Sequence, residues 1–198
     1  MRMKQLVIAS NNPGKLREFQ RMLAPLGIEV LTQSQLGISE AEEPHCTFVE
    51  NALAKARHVS RAAGLPALAD DSGICVEALG GAPGVISARF AGDTPKSDQK
   101  NNEKLLREMQ GIADRRAHYY CVLVLVHHAD DPQPLIAEGE WHGEIGFAER
   151  GEGGFGYDPL FLLASGKTAA ELTHDEKAQV SHRAKALQIL LQKLKLSN

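Results

Sequence analysis

Short apolar runs and segments of helical spacing alternate along the chain. Apolar runs of strand length occur at residues 5–9, 28–31, 65–69, 119–126, 135–141 and 160–163, with a possible further strand at 144–148. Between them, apolar side chains recur every three or four residues, which predicts helices at about 13–26, 47–63, 97–109 and 173–194. Strands that alternate with helices predict an α/β fold.

Polar residues at the helix starts support this assignment. Asn12 is a good N-cap, and Pro13 suits the first helical position. The second and last helical segments begin with capping boxes, in which a Thr precedes a Glu by three residues (Thr47 and Glu50, Thr173 and Glu176). On the second helix, the basic side chains Lys55, Arg57 and Arg61 are typical of a solvated face.

Composition narrows the class of protein. The 198 residues, with 43% hydrophobic and 24% charged side chains, are typical of a globular protein and are enough for one large domain or two small lobes; we expect a single domain over residues 1–198. A net charge of −3 argues against a protein that coats DNA or RNA. The three cysteines lack a Cys-x-x-Cys spacing, and no apolar run is long enough for a signal peptide or a membrane span. We therefore expect a cytoplasmic protein.

The segment Leu68 to Gly73 places the adjacent carboxylates of Asp70 and Asp71 directly after an apolar run. We expect the strand to end at this pair, at the edge where open α/β sheets bind ligands. Adjacent buried carboxylates are tolerated when a cation or a proton-transfer task compensates their charge. The alternative is an ordinary turn in which Asp and Ser side chains bond local amides.

Three further segments carry candidate chemistry. A strand–loop–helix unit at residues 10–15 offers free amides, a hydroxyl and Lys15 to an anion, without the glycine spacing of a P-loop. The glycine-rich loop 151–159 exposes an aromatic side chain that suits a nucleobase, or else only closes a hairpin. Basic residues gather near the start of the last helical segment, where they oppose the helix dipole (Lys177, His182 and Arg183).

Together these segments predict a nucleoside polyphosphate site with a hard metal ion. Carboxylates without a Cys/His ligand set favour Mg²⁺ or Mn²⁺ over zinc, and Mg²⁺ usually binds together with phosphates. The residues 36–46 hold further acidic side chains, although a solvated loop is the default interpretation of that segment (Glu40, Glu42 and Glu43).

Six motifs, in the same order, resemble those of the inosine triphosphate pyrophosphatase family. They are Ser10-x-Asn12-x-x-Lys15; Phe48-x-Glu50-Asn51-Ala52; Ala69-Asp70-Asp71-Ser72-Gly73; Gly80-Gly81-x-Pro83-Gly84 with Ser87-Ala88-Arg89; Gly153-Gly154-Phe155-Gly156-Tyr157-Asp158-Pro159; and Ser181-His182-Arg183. The resemblance implies an α/β fold with a two-lobed mixed sheet, flanking helices and a nucleotide cleft between the lobes. It also implies a homodimer that requires Mg²⁺ and hydrolyses dITP, ITP and XTP to the monophosphate and pyrophosphate, which keeps deaminated purines out of DNA and RNA.

The resemblance also assigns roles to particular residues. The triphosphate would be held by Ser10, Asn12 and Lys15, with the rest of that loop in the substrate-binding set (Asn11, Pro13 and Gly14). Asp71 would be the general base or a metal ligand, Ser72 a substrate contact, and one or both of Glu42 and Glu43 would complete the metal site. Phe155 would stack on the purine, beside a wall shaped by Gly156, Tyr157 and Asp158. The base edge would be read by Lys177, His182 and Arg183.

Two other functions compete with this one. The related Maf-like nucleotide pyrophosphatases share the N-terminal phosphate loop but tend to carry Arg where this chain has Lys15. A non-catalytic nucleotide-binding module would use the carboxylates for structure only, and it would bind nucleotides without turnover.

Overall fold

The structure is a computed structural model that describes residues 3–196. Its helices and strands follow one another as β1 (Gln5–Ala9), α1 (Pro13–Leu23), β2 (Glu29–Thr32), α2 (Phe48–Ala63), β3 (Ala67–Val76), α3 (Asp98–Glu108), β4 (Arg116–Val126), β5 (Leu135–Ile145), β6 (Phe161–Leu162), α4 (His174–Val180) and α5 (His182–Leu196). The predicted alternation of strands and helices is present from β1 to β4, and β4, β5 and β6 then follow one another without an intervening α-helix.

Within residues 3–196, six strands form one sheet in the order β2-β1-β3-β4-β5-β6. β1 pairs in parallel with both β2 and β3, and Val7 lies opposite Ala67 in the second pair. β5 and β6 pair antiparallel, so the sheet is mixed, as the resemblance implied. No helix among the described residues is both long and apolar enough to cross a membrane.

The chain divides into two compact units. The first unit contains Met1–Asp71, Cys121–Glu138 and Lys185–Asn198, and the second contains Ser72–Tyr120 and Gly139–Ala184. Each unit has its own core of buried side chains. The core of the first unit includes Leu6, Ile8, Phe19, Leu123 and Leu187; that of the second includes Ile74, Leu105, Tyr119, Trp141 and Phe161.

The expectation that the third strand ends at the acidic pair is wrong. β3 runs without interruption from Ala67 to Val76, so Asp70 and Asp71 lie inside a strand, and both are buried. A buried strand tolerates two carboxylates only when each has a cationic partner. Both carboxylates have lysine partners that lie far away in the sequence, at Lys15 and Lys55.

Two other predicted boundaries also move. β5 runs from Leu135 to Ile145, so the predicted strand at 135–141 continues into the start of the possible strand at 144–148, and residues 146–148 lie outside it. The last helical segment is two helices, because Ser181 adopts an extended conformation between α4 and α5. The predicted capping box at Thr173 and Glu176 is present at the start of α4, and Thr47 caps α2.

Candidate active site

In the loop between β1 and α1, in the first unit, backbone amides that the sequence predicted to be free are bonded to side-chain oxygens. The side-chain oxygen of Asn12 accepts hydrogen bonds from the backbone N–H groups of Gly14 (2.9 Å) and Lys15 (3.1 Å). Ser10 Oγ accepts from the N–H of Asn12 at 3.2 Å, and Asn11 donates to Glu40 at 3.0 Å. Because its oxygen caps the helix, Asn12 has its amide N–H group left to offer to a phosphate.

The two acidic residues of β3 have different partners. Successive side chains of a strand point to opposite faces, so Asp70 and Asp71 do not share one environment. Asp70 accepts from Lys15 Nζ on α1 and, through its other oxygen, from the thiol of Cys121 at 3.2 Å. Asp71 Oδ1 accepts from Lys55 Nζ on α2 at 2.9 Å. The pair therefore anchors two lysines from two helices.

Asp71 is the carboxylate best placed for chemistry. The residue is 6% exposed, and its Oδ2 has no hydrogen-bond partner anywhere in residues 3–196. Burial raises the pKa of Asp71, and the positive charges of Lys55 and Lys15 oppose that rise. A buried carboxylate oxygen that lacks a donor is a natural acceptor for a water molecule or a cation.

Lys55 is a site residue that the sequence analysis missed, because it was assigned to a solvated face. Only 13% of its side chain is exposed, and Nζ donates to Glu43 Oε1 at 2.6 Å as well as to Asp71. Burial lowers the pKa of Lys55, but attraction to Asp71 and Glu43 outweighs that effect and raises it overall. A signal was present, since Lys55 lies three residues after the buried Ala52 and four before the buried Val59.

The carboxylates around Asp71 fit the predicted magnesium ion. Within the described part of the chain, no three His, Cys, Asp or Glu side chains are grouped so that they could hold a metal ion by themselves. Mg²⁺ does not need such a group, because it is usually held by one or two carboxylates together with phosphates and water. Glu43 and Asp71 meet at Lys55 and supply hard oxygen atoms, whereas Glu42 is exposed.

In the second unit, Asp158 organises the glycine-rich loop. Its carboxylate is 2% exposed and accepts from Lys177 Nζ (2.5 Å), from the backbone N–H of Phe155 (2.9 Å) and from the hydroxyl of Tyr119 (3.2 Å). The two aromatic residues of the loop separate: Phe155 is half-buried, whereas Tyr157 lies in the core and donates to the carbonyl of Ser87 at 2.7 Å. Asp158 thus fixes both the backbone and the cationic neighbour of Phe155.

Two of the three predicted base-reading residues lie beside Phe155 in the same unit, and the third stacks on Tyr119. Lys177 Nζ lies 4.7 Å from the centroid of the Phe155 ring, and Arg183 Cζ lies 5.8 Å from it. Arg183 also donates to Ser72 Oγ at 2.9 Å. His182 stacks on Tyr119, with ring centroids 4.7 Å apart and planes 8° apart. Sequence reasoning missed Tyr119, which reads as an ordinary strand residue.

Comparison with known proteins identifies the family. The sequence profile of the Ham1 family matches residues 6–193. The chain belongs to the Ham1 family. A Ham1 relative from Ralstonia nicotianae, named dITP/XTP pyrophosphatase, is 68% identical over 98% of both chains. One of the same name from Nitrosomonas europaea is 65% identical over 97% of this chain and 95% of its own. The predicted family resemblance is thereby confirmed.

Solved Ham1 structures have the same fold. The HAM1 protein of Coxiella burnetii matches with a TM-score of 0.90 at 45% identity, over 98% of this chain and 99% of that one. A nucleoside-triphosphatase, also named dITP/XTP pyrophosphatase, from Mycobacterium abscessus matches with a TM-score of 0.73 at 39% identity, over 94% and 98%. The predicted α/β fold class is confirmed.

Proposed function

We propose that this Ham1 protein hydrolyses the non-standard purine nucleoside triphosphates dITP, ITP and XTP to the monophosphate and pyrophosphate. This reaction would remove deaminated purines from the nucleotide pool before they enter DNA or RNA. The names of its relatives support the substrate class. The observation that carries the reaction type is Asp71, a buried carboxylate with one oxygen on Lys55 and the other without a donor in residues 3–196.

Two lysines would hold the phosphate chain. An ammonium group has three N–H donors. Lys15 uses one on Asp70, which leaves two for phosphate oxygens. Lys55 uses two, on Glu43 and Asp71, which leaves one. The side-chain amide of Asn12, at the positive end of the α1 dipole, would add to this binding.

Asp71 would act on the attacking water. In this reaction water attacks the α-phosphorus and pyrophosphate leaves, so a carboxylate that orients the water or takes its proton accelerates the step. Burial raises the pKa of Asp71, which makes it a stronger base than an exposed aspartate. Positive charge on Lys15 would stabilise the leaving pyrophosphate.

A magnesium ion would be held by Asp71 and Glu43. That Glu42 is a further ligand stays a prediction. When bound, it would supply a hard positive charge that neutralises phosphate oxygens. The Mg²⁺ dependence of an Asp71 variant distinguishes a role as base from a role as metal ligand. The homodimer, the cytoplasmic location and the single domain over residues 1–198 also stay predictions.

The second unit would recognise the base. Phe155 offers a ring for stacking, and Arg183 and Lys177 are donors beside it. Hypoxanthine and xanthine carry an acceptor oxygen at position 6, whereas adenine carries an amino donor there. A donor placed against position 6 accepts the first two and rejects adenine, and mismatches of this kind can discriminate by roughly 10⁴-fold.

A substrate panel tests the proposed function. Pyrophosphate release from ITP, XTP, GTP, ATP, CTP and UTP is measured with Mg²⁺ and with EDTA. We expect rapid release from ITP and XTP that EDTA abolishes. Release mainly from pyrimidine or standard nucleotides would favour the Maf-like function, and nucleotide binding without turnover would favour a binding module.

Replacing Phe155 with alanine should raise KM for every purine substrate. Stacking on an aromatic ring is worth about 1–3 kcal/mol per base, so we expect an increase of about 5- to 150-fold. Phe147→Ala is the matched control, because Phe147 is 85% exposed and packs on Arg115. Steady-state kinetics with ITP and XTP measure KM for both variants. An unchanged KM in Phe155→Ala would remove Phe155 from the base site.

A further inference from the structure

Two polar side chains of helix α3 form hydrogen bonds with the backbone of Gly156, the residue that follows Phe155. The backbone N–H of Gly156 donates to Asp98 Oδ2 at 2.7 Å, and Asn102 Nδ2 donates to the Gly156 carbonyl at 3.2 Å. Asp98 and Asn102 lie four residues apart, which places them on one face of the helix. We call these two side chains the α3 clamp.

The clamp completes the fixation of the Phe155 backbone. Phe155 donates its own N–H to Asp158, and its carbonyl accepts from the N–H of Asp158 at 3.3 Å. With the clamp on Gly156, four consecutive backbone polar groups have partners. Gly156 has a φ of +64°, in the left-handed region that glycine adopts without strain and most other residues do not.

Helix α3 is itself firmly held within the second unit. The side chain of Asn101 accepts from the N–H of Ala91 at 2.7 Å and donates to the carbonyl of Ala88 at 3.3 Å. Leu105 and the adjoining Met109 are fully buried in the core. The start of α3 is therefore a rigid support on which the position of Phe155 can depend.

We propose that Asp98 and Asn102 are positioning residues for purine binding, which act by holding Phe155 in place. This inference rests on the proposed function, in which Phe155 stacks on the base. A ring held in its binding position loses less conformational freedom when the base arrives, which increases affinity. Lys177 and Arg183 lie beside the same ring, so the position of a bound base relative to these two side chains would also be fixed.

Asp98→Ala tests the proposal. Because Asp98 is exposed, we expect this variant to fold normally. We expect KM for ITP to rise by about three- to tenfold, the range for loss of one ordinary hydrogen bond at an exposed site, with kcat within about twofold of wild type. The inhibition constant of inorganic pyrophosphate, which has no base, should stay unchanged. Asp98→Asn keeps an acceptor oxygen and should restore most of the affinity. Glu103→Ala is the matched control, because Glu103 is exposed on the same helix and bonds Gln99.

The decisive measurement is the double variant with Phe155→Ala. If Asp98 acts through Phe155, Asp98→Ala should raise KM little or not at all once Phe155 is an alanine. A full additional increase in that background, weaker pyrophosphate inhibition, or an unchanged KM in the single variant would each overturn the proposal. Wild-type protein is assayed first, so that absence of ITP turnover, which refutes the proposed function, is distinguished from failure of the clamp alone.

Discussion

Replacing Asp71 with asparagine should lower kcat for ITP by about 10²- to 10⁴-fold, the range that one general base supplies. Asparagine has nearly the same shape and keeps an oxygen for Lys55, but it is neutral, so it cannot take a proton and it attracts a cation much less than a carboxylate does. Lys55 keeps its contact with Glu43, so the fold should persist. Stopped assays of pyrophosphate release measure the loss, and circular dichroism checks the fold.

The same variant separates the two roles of Asp71. If Asp71 is mainly a metal ligand, raising the Mg²⁺ concentration should recover part of the lost activity; if it is the base, the loss should persist at saturating Mg²⁺. Asp130→Asn is the matched control, because Asp130 pairs with Arg61 of the same helix α2 but is 86% exposed. Near-normal kcat in Asp71→Asn would refute the catalytic assignment.

Replacing Asp158 with alanine should destabilise the protein by about 3–5 kcal/mol, the usual cost of removing one member of a buried ion pair. The variant deprives the ammonium of Lys177, the amide of Phe155 and the hydroxyl of Tyr119 of a shared acceptor. For a protein of this size, each kcal/mol corresponds to a change in Tm of about 2–4 °C. Thermal unfolding followed by circular dichroism should therefore show a loss of at least about 6 °C.

Two further variants test whether burial of the ion pair causes this loss of stability. Adding Lys177→Met to Asp158→Ala should recover part of the lost Tm, because it removes the buried charge. Asp114→Ala breaks a similarly short pair with Arg116, with atoms 2.7 Å apart, but at the surface. Exposed ion pairs contribute little to stability, so that variant should unfold close to the wild-type temperature. Equal losses in the two single variants would contradict the importance of burial.

The sequence predicted those parts of the fold that local signals specify. Asn12 and Pro13 mark the start of α1 because capping and backbone restriction act within a few residues. The glycines around Phe155 marked the loop for the same reason. The predicted positions of the loop between β1 and α1 and of the glycine-rich loop are therefore correct.

The parts that the sequence did not predict depend on distant partners. β3 continues through Asp70 and Asp71 because two lysines compensate their charges. Lys15 lies 55 residues from Asp70 in the sequence, and Lys55 lies 16 residues from Asp71. Lys55 appears as a surface residue until Glu43 and Asp71 are placed around it. The α3 clamp joins residues 58 and 54 positions apart, and no periodicity or motif signals such contacts.

The lysine–aspartate pairs of β3 have a consequence for selectivity among anions. In the proposed function, phosphate oxygens would share the ammonium groups of Lys15 and Lys55 with Asp70 and Asp71, so these buried ion pairs would lose part of their strength on binding. A free phosphate ion would have to meet that cost with few contacts of its own, and we expect it to bind weakly. The ion pairs would then act as a threshold that keeps the site available to substrate amid the free phosphate of a cell.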